Sequence, residues 1–156
     1  MIQPMKIGDK LPNIDLAATG EQTINLAKLK GDNVVVYFYP KDSTPGCTTE
    51  GQDFRDNIKA FKKLDCIILG VSRDSIKSHE RFKEKQEFPF DLLSDPDEEL
   101  CNAFEVIKLK KMYGKEFMGV ERSTFLFNKK GKLTNEWRKV RVKGHVDEVL
   151  EAVKQL

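Results

Sequence analysis

The 156-residue chain lacks several features that would assign it to a class at once. No apolar run approaches the roughly 20 residues that cross a bilayer. The first residues lack the basic region, apolar stretch and small-residue cleavage site of a secretory signal. Its 27 Lys and Arg nearly balance its 25 Asp and Glu, so the formal net charge is only +2. These absences predict a cytoplasmic protein that has neither nucleic acid nor a membrane as partner.

Cysteine and histidine are scarce as well. The three cysteines are an odd number without metal-ligand spacing, which argues against a disulfide scaffold and against a zinc site. The two histidines, His79 and His145, lie far apart in predicted helices, and we interpret them as solvated or capping residues. We therefore expect no bound metal, and we expect the cysteines to reside in a reducing compartment.

Internal repeats, low-complexity tracts and linker-like stretches are also absent. With 39% hydrophobic and 33% charged residues, the chain can build a core and stay in solution. Its length suits one domain and leaves little room for a second. The sequence therefore predicts a single domain over residues 1–156.

Apolar patterning predicts alternating strands and helices. β-Branched and aromatic runs predict buried strands and one paired strand after a turn, at residues 34–39, 66–71, 123–127 and 133–137. Apolar residues at helical spacing occur in three segments: Phe54 to Phe61, residues 76–86, and Val146 to Leu156. This order predicts an α/β sandwich with a partly parallel central sheet and helices on both faces. The thioredoxin-like fold is the smallest common architecture with that order.

The stretch from Tyr39 to Glu50 reads YPKDSTPGCTTE and joins the first predicted strand to the first predicted helix. In open α/β folds, sites are built at this end of the strands. Cys47 would lie near the helix N-terminus, where unpaired backbone N–H groups and the helix dipole favour the thiolate, the nucleophilic form of cysteine. The polar, turn-forming flanks of Cys47 disfavour a purely structural thiol.

Peroxide cleavage is one reaction open to such a thiolate, and it would need further groups around the sulfur. The attacking sulfur and the two peroxide oxygens lie nearly in line, and charge builds on the departing oxygen, so donors along that line stabilise the transition state. Thr44 can bring its hydroxyl beside the sulfur if the loop curls into the helix, and the backbone N–H groups of Gly46 and Cys47 are further donors. An arginine would complete the arrangement, because it stays charged and donates several hydrogen bonds.

These residues resemble the active-site motif of the peroxiredoxins, in particular the peroxiredoxin Q group, also called bacterioferritin comigratory protein. The family's proline, threonine and cysteine appear here as Pro40, Thr44 and Cys47, and its distant arginine matches Arg122 in GVERSTF. The similarity also includes GDKLPNIDL near the start, GVSRDS from residue 70 and LLSDPDEEL from residue 92, and it extends over nearly the whole chain.

The resemblance implies a peroxiredoxin-type thioredoxin fold and a thiol peroxidase. Cys47 would be the peroxidatic cysteine, which attacks hydrogen peroxide or an organic hydroperoxide and becomes a sulfenic acid. Thr44 and Arg122 would orient the peroxide and hold Cys47 as the thiolate. The residues that would shape the substrate pocket are Pro40, Pro45 and Gly46. No metal, flavin or haem is implied, since sulfur carries the two-electron chemistry, and the resembled group is often monomeric.

The chain departs from that group at the resolving cysteine. Many members carry this cysteine where the chain has Gln52, and others carry it on the next helix, at about residues 77–86, which here hold none. Cys66 lies in an apolar strand, and Cys101 lies in a short helical segment where it could be half buried. We interpret both as inert, with a resolving role as the alternative. A one-cysteine cycle follows, with thioredoxin, glutaredoxin and glutathione, or another small thiol as reductant.

Other interpretations stay open at this point. Arg122, taken alone, could be a surface arginine at a strand start. A predicted loop carries a lysine cluster that is either a solvated face or a surface that steers an acidic protein reductant: Lys108, Lys110, Lys111 and Lys115. Glu50 matches a frequent acidic position of the resembled group, and we assign it no role. The rival function is a thioredoxin-fold thiol sensor or holdase with little turnover.

Overall fold

Seven of nine strands form a mixed central sheet in the computed structural model, which describes residues 5–156. In chain order the strands are β1 (Asp15–Ala18), β2 (Gln22–Asn25), β3 (Asn33–Phe38), β4 (Cys66–Ser72), β5 (Asp91–Ser94), β6 (Ile107–Met112), β7 (Lys115–Val120), β8 (Ser123–Phe127) and β9 (Leu133–Trp137). The sheet order is β2-β1-β5-β4-β3-β8-β9. Strands β3, β4 and β5 are parallel, and the flanking pairs are antiparallel. Strands β6 and β7 form a separate hairpin.

Residues 5–156 also contain five α-helices and one 3₁₀ turn, which connect the strands or, for the last helix, follow them. The helices are α1 (Pro45–Asp56), α2 (Ile58–Lys63), α3 (Ile76–Gln86), α4 (Glu99–Ala103) and α5 (His145–Lys154), and the 3₁₀ turn is Leu26–Leu29. Among residues 5–156, no helix is both long and apolar enough to cross a membrane.

The central strand β3 separates two apolar cores. All six of its residues are buried, because its side chains alternate between two covered faces. Val34, Val36 and Phe38 pack into a core that includes α4 and Phe104. Val35 and Tyr37 pack into the other core, where α1, α2, α3 and α5 contribute their apolar side chains. Four of the five helices therefore cover one face, and α1 leads directly from β3 across that face.

The predicted α/β architecture is confirmed, with a central mixed sheet flanked by helices. The four predicted strands match β3, β4, β8 and β9 within one residue at each end, and the predicted helix over 76–86 is α3. Two helix predictions need correction. The segment from Phe54 to Phe61 is two helices, because α1 ends at Asp56 and α2 begins at Ile58. Leu156 lies beyond the end of α5 and is exposed.

The lysine-rich segment predicted as a loop is the β6–β7 hairpin, so that prediction is wrong. The two strands are joined by a two-residue turn at Tyr113 and Gly114, where φ is 52° and 76°. Positive φ at both central positions is typical of the tight turns that suit the twist of a hairpin, and Asn-Gly or Asp-Gly is their usual sequence. A tyrosine at the first position hides this turn from sequence analysis.

Candidate active site

Cys47 lies in the first turn of α1, directly after the loop that follows β3. Thr44 is the N-cap residue, with extended backbone, and Pro45 is the first helical residue, where its fixed φ suits the helix and its missing N–H costs no hydrogen bond. The N–H groups of Gly46 and Cys47 belong to this first turn, which has no intrahelical acceptors for them. The predicted position of Cys47 at a helix N-terminus is confirmed. Its side chain is nearly buried, with 2% exposure.

Arg122 reaches Cys47 from the other side of the site. It lies between β7 and β8, and its Nη2 donates a hydrogen bond to Sγ of Cys47 at 3.4 Å. Gly46 permits this approach, because a Cβ at that position would lie 3.1 Å from Nη2 of Arg122. Cys47 and Arg122 are 75 positions apart in the sequence. The antiparallel pairing of β8 with β3 brings them together, since Ser123 pairs with Phe38 at the end of β3.

Glu50 is the residue of this site to which the sequence analysis assigned no role. Its Oε1 accepts a hydrogen bond from Nη1 of Arg122 at 2.7 Å, and the carboxylate is fully buried. Among residues 5–156, its Oε2 has no hydrogen-bond partner. Glu50 follows Cys47 by three residues on α1, so both side chains lie on one face of the helix. The spacing of three residues from Cys47 is the signal in the sequence that indicates this shared face.

Burial governs the ionisation of Glu50. Desolvation raises the pKa of this carboxyl from 4.5 to about 7, and the charge and hydrogen bond of Arg122 oppose that rise only in part. Arg122 thus joins two acidic groups, the carboxyl of Glu50 and the thiol of Cys47, through different nitrogens of one guanidinium. Its planar fork of donors makes this double contact possible.

The other predicted site residues occupy the loop around Cys47. Thr44 donates its hydroxyl hydrogen to the carbonyl of Lys41 at 2.8 Å, and within the described residues it makes no hydrogen bond to Sγ of Cys47. Its oxygen still has lone pairs that can accept from a ligand. Pro40 lines a cavity of about 390 Å³ together with Arg122. Pro45 and Gly46 line a second cavity, of about 660 Å³, on the side of α1 that faces α5.

A buried hydrogen-bond network anchors the loop before Cys47. Oδ1 of Asp42 accepts from the Tyr39 hydroxyl at 2.6 Å, and Oδ2 accepts from the Ser78 hydroxyl at 2.8 Å. Nδ1 of His79 lies 2.7 Å from the same Oδ2. Nε2 of His79 lies 2.9 Å from the carbonyl of Leu93, which can only accept, so this nitrogen carries a proton. The prediction of a solvated or capping His79 is wrong, because the ring is fully buried between the loop and β5.

His145 was predicted to be solvated or capping, and the solvated alternative is wrong because the residue is buried. It is the first residue of α5, and its Nε2 lies 2.8 Å from the Thr124 hydroxyl. Burial, and then the nearby charge of Arg122, lower the pKa of His145 to about 4. The ring is therefore neutral at physiological pH.

One group of potential metal ligands occurs among residues 5–156. Ligand atoms of Asp42, Asp74 and His79 lie within 4.8 Å of one another. These atoms already serve the network, since Asp74 accepts from the Ser72 hydroxyl and from the Asp42 backbone N–H. The cluster therefore has a structural use as a set of hydrogen bonds that holds the loop to β4 and α3.

Cys66 and Cys101 are buried thiols away from Cys47, and all three cysteines are free. Burial raises the pKa of Cys66 to about 12. Burial, followed by the charge of Asp95, raises the pKa of Cys101 well above its usual value. Cys101 is fully buried, so the expectation that it is half buried is wrong. Gln52, at the first expected position of a resolving cysteine, instead donates from Nε2 to Oε1 of Gln86 on α3 at 2.9 Å.

Comparison with known proteins identifies the family of this chain. The model of the AhpC/TSA family matches residues 7–136. The chain belongs to the AhpC/TSA family. It is 53% identical to a peroxiredoxin Bcp of Bacillus subtilis over 152 residues, which cover 97% of each chain. It is 54% identical to a peroxiredoxin Bcp of Xanthomonas campestris over 142 residues, 91% of this chain and 89% of the relative.

Solved structures of the same family share the fold. A structure of the bacterioferritin comigratory protein of Xanthomonas campestris superposes with a TM-score of 0.90 at 50% identity, covering 97% of this chain and 96% of that one. The PrxQ of Xylella fastidiosa superposes with a TM-score of 0.92 at 44% identity, covering 98% of each chain. The predicted resemblance to the peroxiredoxin Q group and the predicted thioredoxin-like peroxiredoxin fold are confirmed.

Proposed function

We propose that this member of the AhpC/TSA family is a thiol peroxidase that reduces hydrogen peroxide and organic hydroperoxides at Cys47. One observation carries the proposal: the guanidinium of Arg122 lies 3.4 Å from Sγ of Cys47, in the first turn of α1. A cation and a helix N-terminus at one thiol favour the nucleophilic thiolate. The related structure from Xanthomonas campestris was determined in connection with alkyl peroxide reduction, which supports organic hydroperoxides as substrates.

The first half-reaction transfers one oxygen to sulfur. The thiolate of Cys47 attacks the terminal oxygen of the hydroperoxide, an S–O bond forms, and the O–O bond breaks. Cys47 becomes a sulfenic acid, and the alkoxide or hydroxide leaves and takes a proton from water. Arg122 donates hydrogen bonds along this path, so it stabilises the charge that develops on the departing oxygen. Sulfur supplies both electrons, and the step uses no metal, flavin or haem.

The loop residues position the peroxide in this scheme. Thr44, whose hydroxyl hydrogen is held by Lys41, accepts a hydrogen bond from the hydroperoxide O–H and turns its terminal oxygen toward sulfur. The backbone N–H groups of Gly46 and Cys47 add donors at the helix terminus. Pro40 and Pro45 limit the freedom of the loop and its exposure to water.

A one-cysteine cycle completes the proposal. The buried, protonated thiols of Cys66 and Cys101 and the Gln52–Gln86 hydrogen bond support it, because none of these groups offers a thiolate to the sulfenic acid. An external thiol then reduces Cys47, and thioredoxin or glutaredoxin with glutathione supplies it. We further propose that the chain acts as a single domain over residues 1–156, as a monomer, in the cytoplasm, where a reducing pool keeps three free thiols reduced.

Intact mass after one equivalent of hydrogen peroxide tests this function, with a sulfenic-acid trap present. We expect one trap adduct on the wild type and on the double variant Cys66→Ser/Cys101→Ser, and no adduct on Cys47→Ser. Loss of two hydrogens without an adduct would mean that Cys66 or Cys101 resolves the sulfenic acid, which contradicts the one-cysteine cycle. No change in the wild type would contradict peroxide chemistry altogether.

Turnover separates the enzyme from a sensor or holdase. With excess thiol, we expect the wild type to consume many equivalents of peroxide and Cys47→Ser to consume none. Consumption that stops after a single equivalent would favour the sensor instead.

A further inference from the structure

The β6–β7 hairpin presents an unusual concentration of exposed apolar side chains. It holds five of the seven large apolar side chains that are exposed among residues 5–156: Leu109, Met112, Tyr113, Phe117 and Met118. Tyr113 at the tip is 97% exposed. Leu109 and Met118 are directly opposite on the two strands, so they form one apolar pair on one face. A hairpin outside the central sheet has no need of these residues for its own core.

The same part of the molecule concentrates positive charge. The hairpin carries four lysines and one acidic residue, Glu116, and the segment 138–143 carries four basic residues and no acidic one. The basic residues are Lys108, Lys110, Lys111, Lys115, Arg138, Lys139, Arg141 and Lys143. These two segments have a formal charge of +7 in a chain whose total is +2, so the remaining residues carry −5. The charge of this molecule is therefore segregated, although its sum is near zero.

Both segments border the active site. The cavity of about 390 Å³ beside Arg122 is lined by three lysines and one acidic residue: Lys108 and Lys110 of the hairpin, Lys139, and Glu121. The N–H of Val140 donates to the carbonyl of Arg122 at 2.9 Å, which fixes the segment 138–143 next to the arginine. Burial, and then the charge of Arg122, lower the pKa of Lys110, as its position near the guanidinium requires.

We propose that the hairpin 107–120 and the segment 138–143 together form the docking surface for an acidic dithiol protein, which reduces oxidised Cys47. This inference rests on the proposed peroxidase function and adds the surface at which its protein reductant binds. An apolar centre that contains methionine and aromatic residues, with a charged rim, is the usual anatomy of a transient protein interface. The surface extends from the cavity to the hairpin tip, which is wider than a peroxide or a small thiol can use. Its basic rim favours an acidic partner and speeds their encounter.

The reduction balances with a dithiol as co-reactant. One thiolate of the partner attacks the sulfenic sulfur of Cys47, an S–S bond forms, and the oxygen leaves as water after protonation. The second thiol of the partner, as the thiolate, then attacks the partner's first sulfur, which is bonded to Cys47 in this mixed disulfide. Cys47 leaves as the thiolate, and the partner keeps the two-electron oxidation as an internal disulfide.

Steady-state peroxidase kinetics with thioredoxin as the acidic dithiol protein test the proposal, and dithiothreitol serves as a reductant that needs no docking. The variants are Lys111→Glu/Lys115→Glu and Tyr113→Ser, near the hairpin tip and away from Cys47. We expect the charge variant to lose about tenfold in kcat/KM for thioredoxin, with the loss shrinking at high salt. Turnover with dithiothreitol and the single-turnover oxidation of Cys47 by peroxide should stay within twofold of the wild type.

A matched control reverses two lysines at the opposite end of the sheet, Lys28→Glu/Lys130→Glu, and should leave thioredoxin kinetics unchanged. Equal losses in this control would mean that net charge alone matters, which overturns the docking surface. Unchanged thioredoxin kinetics in the hairpin variants would also contradict the docking surface. The same holds if the wild type turns over no faster with thioredoxin than with the same concentration of dithiothreitol. Cosedimentation with phosphatidylglycerol vesicles that the charge variant loses, while thioredoxin kinetics persist, would assign the surface to lipid instead. Failure of peroxide to oxidise wild-type Cys47 would contradict the peroxidase function rather than the docking surface.

Discussion

At the scale of single residues, Arg122 links the two acidic groups of the site, Cys47 and Glu50. One of its nitrogens contacts the thiol, and another contacts Glu50. A buried carboxyl beside a reactive thiol looks unfavourable, because its charge opposes a second negative charge on sulfur. The contact with Arg122 explains its presence: Glu50 fixes the guanidinium in the plane from which it can donate to Cys47. Glu50 is thus a positioning residue that acts through Arg122.

The pH dependence of Cys47 oxidation should report this role of Glu50. Its pKa of about 7 means that the carboxylate, and with it the charge-assisted bond to Arg122, is lost as the pH falls through neutrality. We expect wild-type oxidation to slow below pH 7 and Glu50→Gln to lack this inflection, with a rate at pH 8 reduced about tenfold. Stopped-flow single-turnover oxidation between pH 5.5 and 8.5 measures both.

Asp56→Asn, at the end of α1, is the matched control, because its carboxyl pairs with Arg55 and not with Arg122. An inflection that is present in the wild type and in the control but absent from Glu50→Gln would identify the Glu50 carboxyl as its source. A profile of Glu50→Gln that is parallel to the wild type would refute the positioning role.

At the scale of secondary-structure elements, the placement of Cys47 depends on how α1 packs. Gly51 lies one turn beyond Cys47, and a Cβ there would overlap the ring of Phe88. That ring is confined, because Phe88 packs edge-on against Phe82 and stacks on Phe90. The helix therefore approaches the segment after α3 as closely as a glycine allows, and this close approach sets the height of its N-terminus over the sheet.

Gly51→Ala should destabilise the fold despite alanine's higher helix propensity. The propensity gain is at most about 1 kcal/mol, whereas overpacking a confined site costs about 1–3 kcal/mol. We expect a net loss in the free energy of unfolding, measured by urea denaturation. In the background of Phe88→Leu, which frees space beside the helix, the same substitution should cost less. A Gly51→Ala protein that is more stable than the wild type would show that the contact does not restrain α1.

The elements that sequence analysis predicted correctly are those whose local pattern and tertiary role agree. Strand β3 and helix α3 have strong periodicity and matching burial, and the motif around Cys47 follows directly from them. Strands β1 and β2 were not predicted because each has only four residues. Burial alternates along β1, but its two alanines give a weak apolar pattern, and β2 has no buried residue. The pairing of Glu50 with Arg122 was not predicted, because it depends on the order of the strands in the sheet, which brings together residues 72 positions apart.

At the scale of the whole molecule, two buried titratable groups flank Arg122 and respond to pH in opposite directions. Glu50 has a raised pKa, so the folded state holds its proton more tightly than the unfolded chain. His145 has a lowered pKa, so the unfolded chain binds the proton more tightly. By linkage, the Glu50 contribution to stability falls as the pH rises from 4.5 to about 7, and the His145 contribution rises between about 4 and 6.5. Over most of this range the two contributions oppose each other.

Single substitutions should separate these contributions. Each pH unit between the unfolded and folded pKa of a group is worth about 1.4 kcal/mol. From pH 4.5 to 7, the unfolding free energy of Glu50→Gln should therefore rise by on the order of 3 kcal/mol relative to that of the wild type. His145→Gln should change in the opposite sense, losing stability relative to the wild type as the pH rises to 6.5. Urea denaturation at pH 4.5, 5.5, 6.5 and 7.5 gives both curves, and all other ionisations cancel in the differences. Curves for both variants that run parallel to the wild type would mean that neither group is held in its unusual protonation state, and the buried Glu50–Arg122 contact would then need a different electrostatic account.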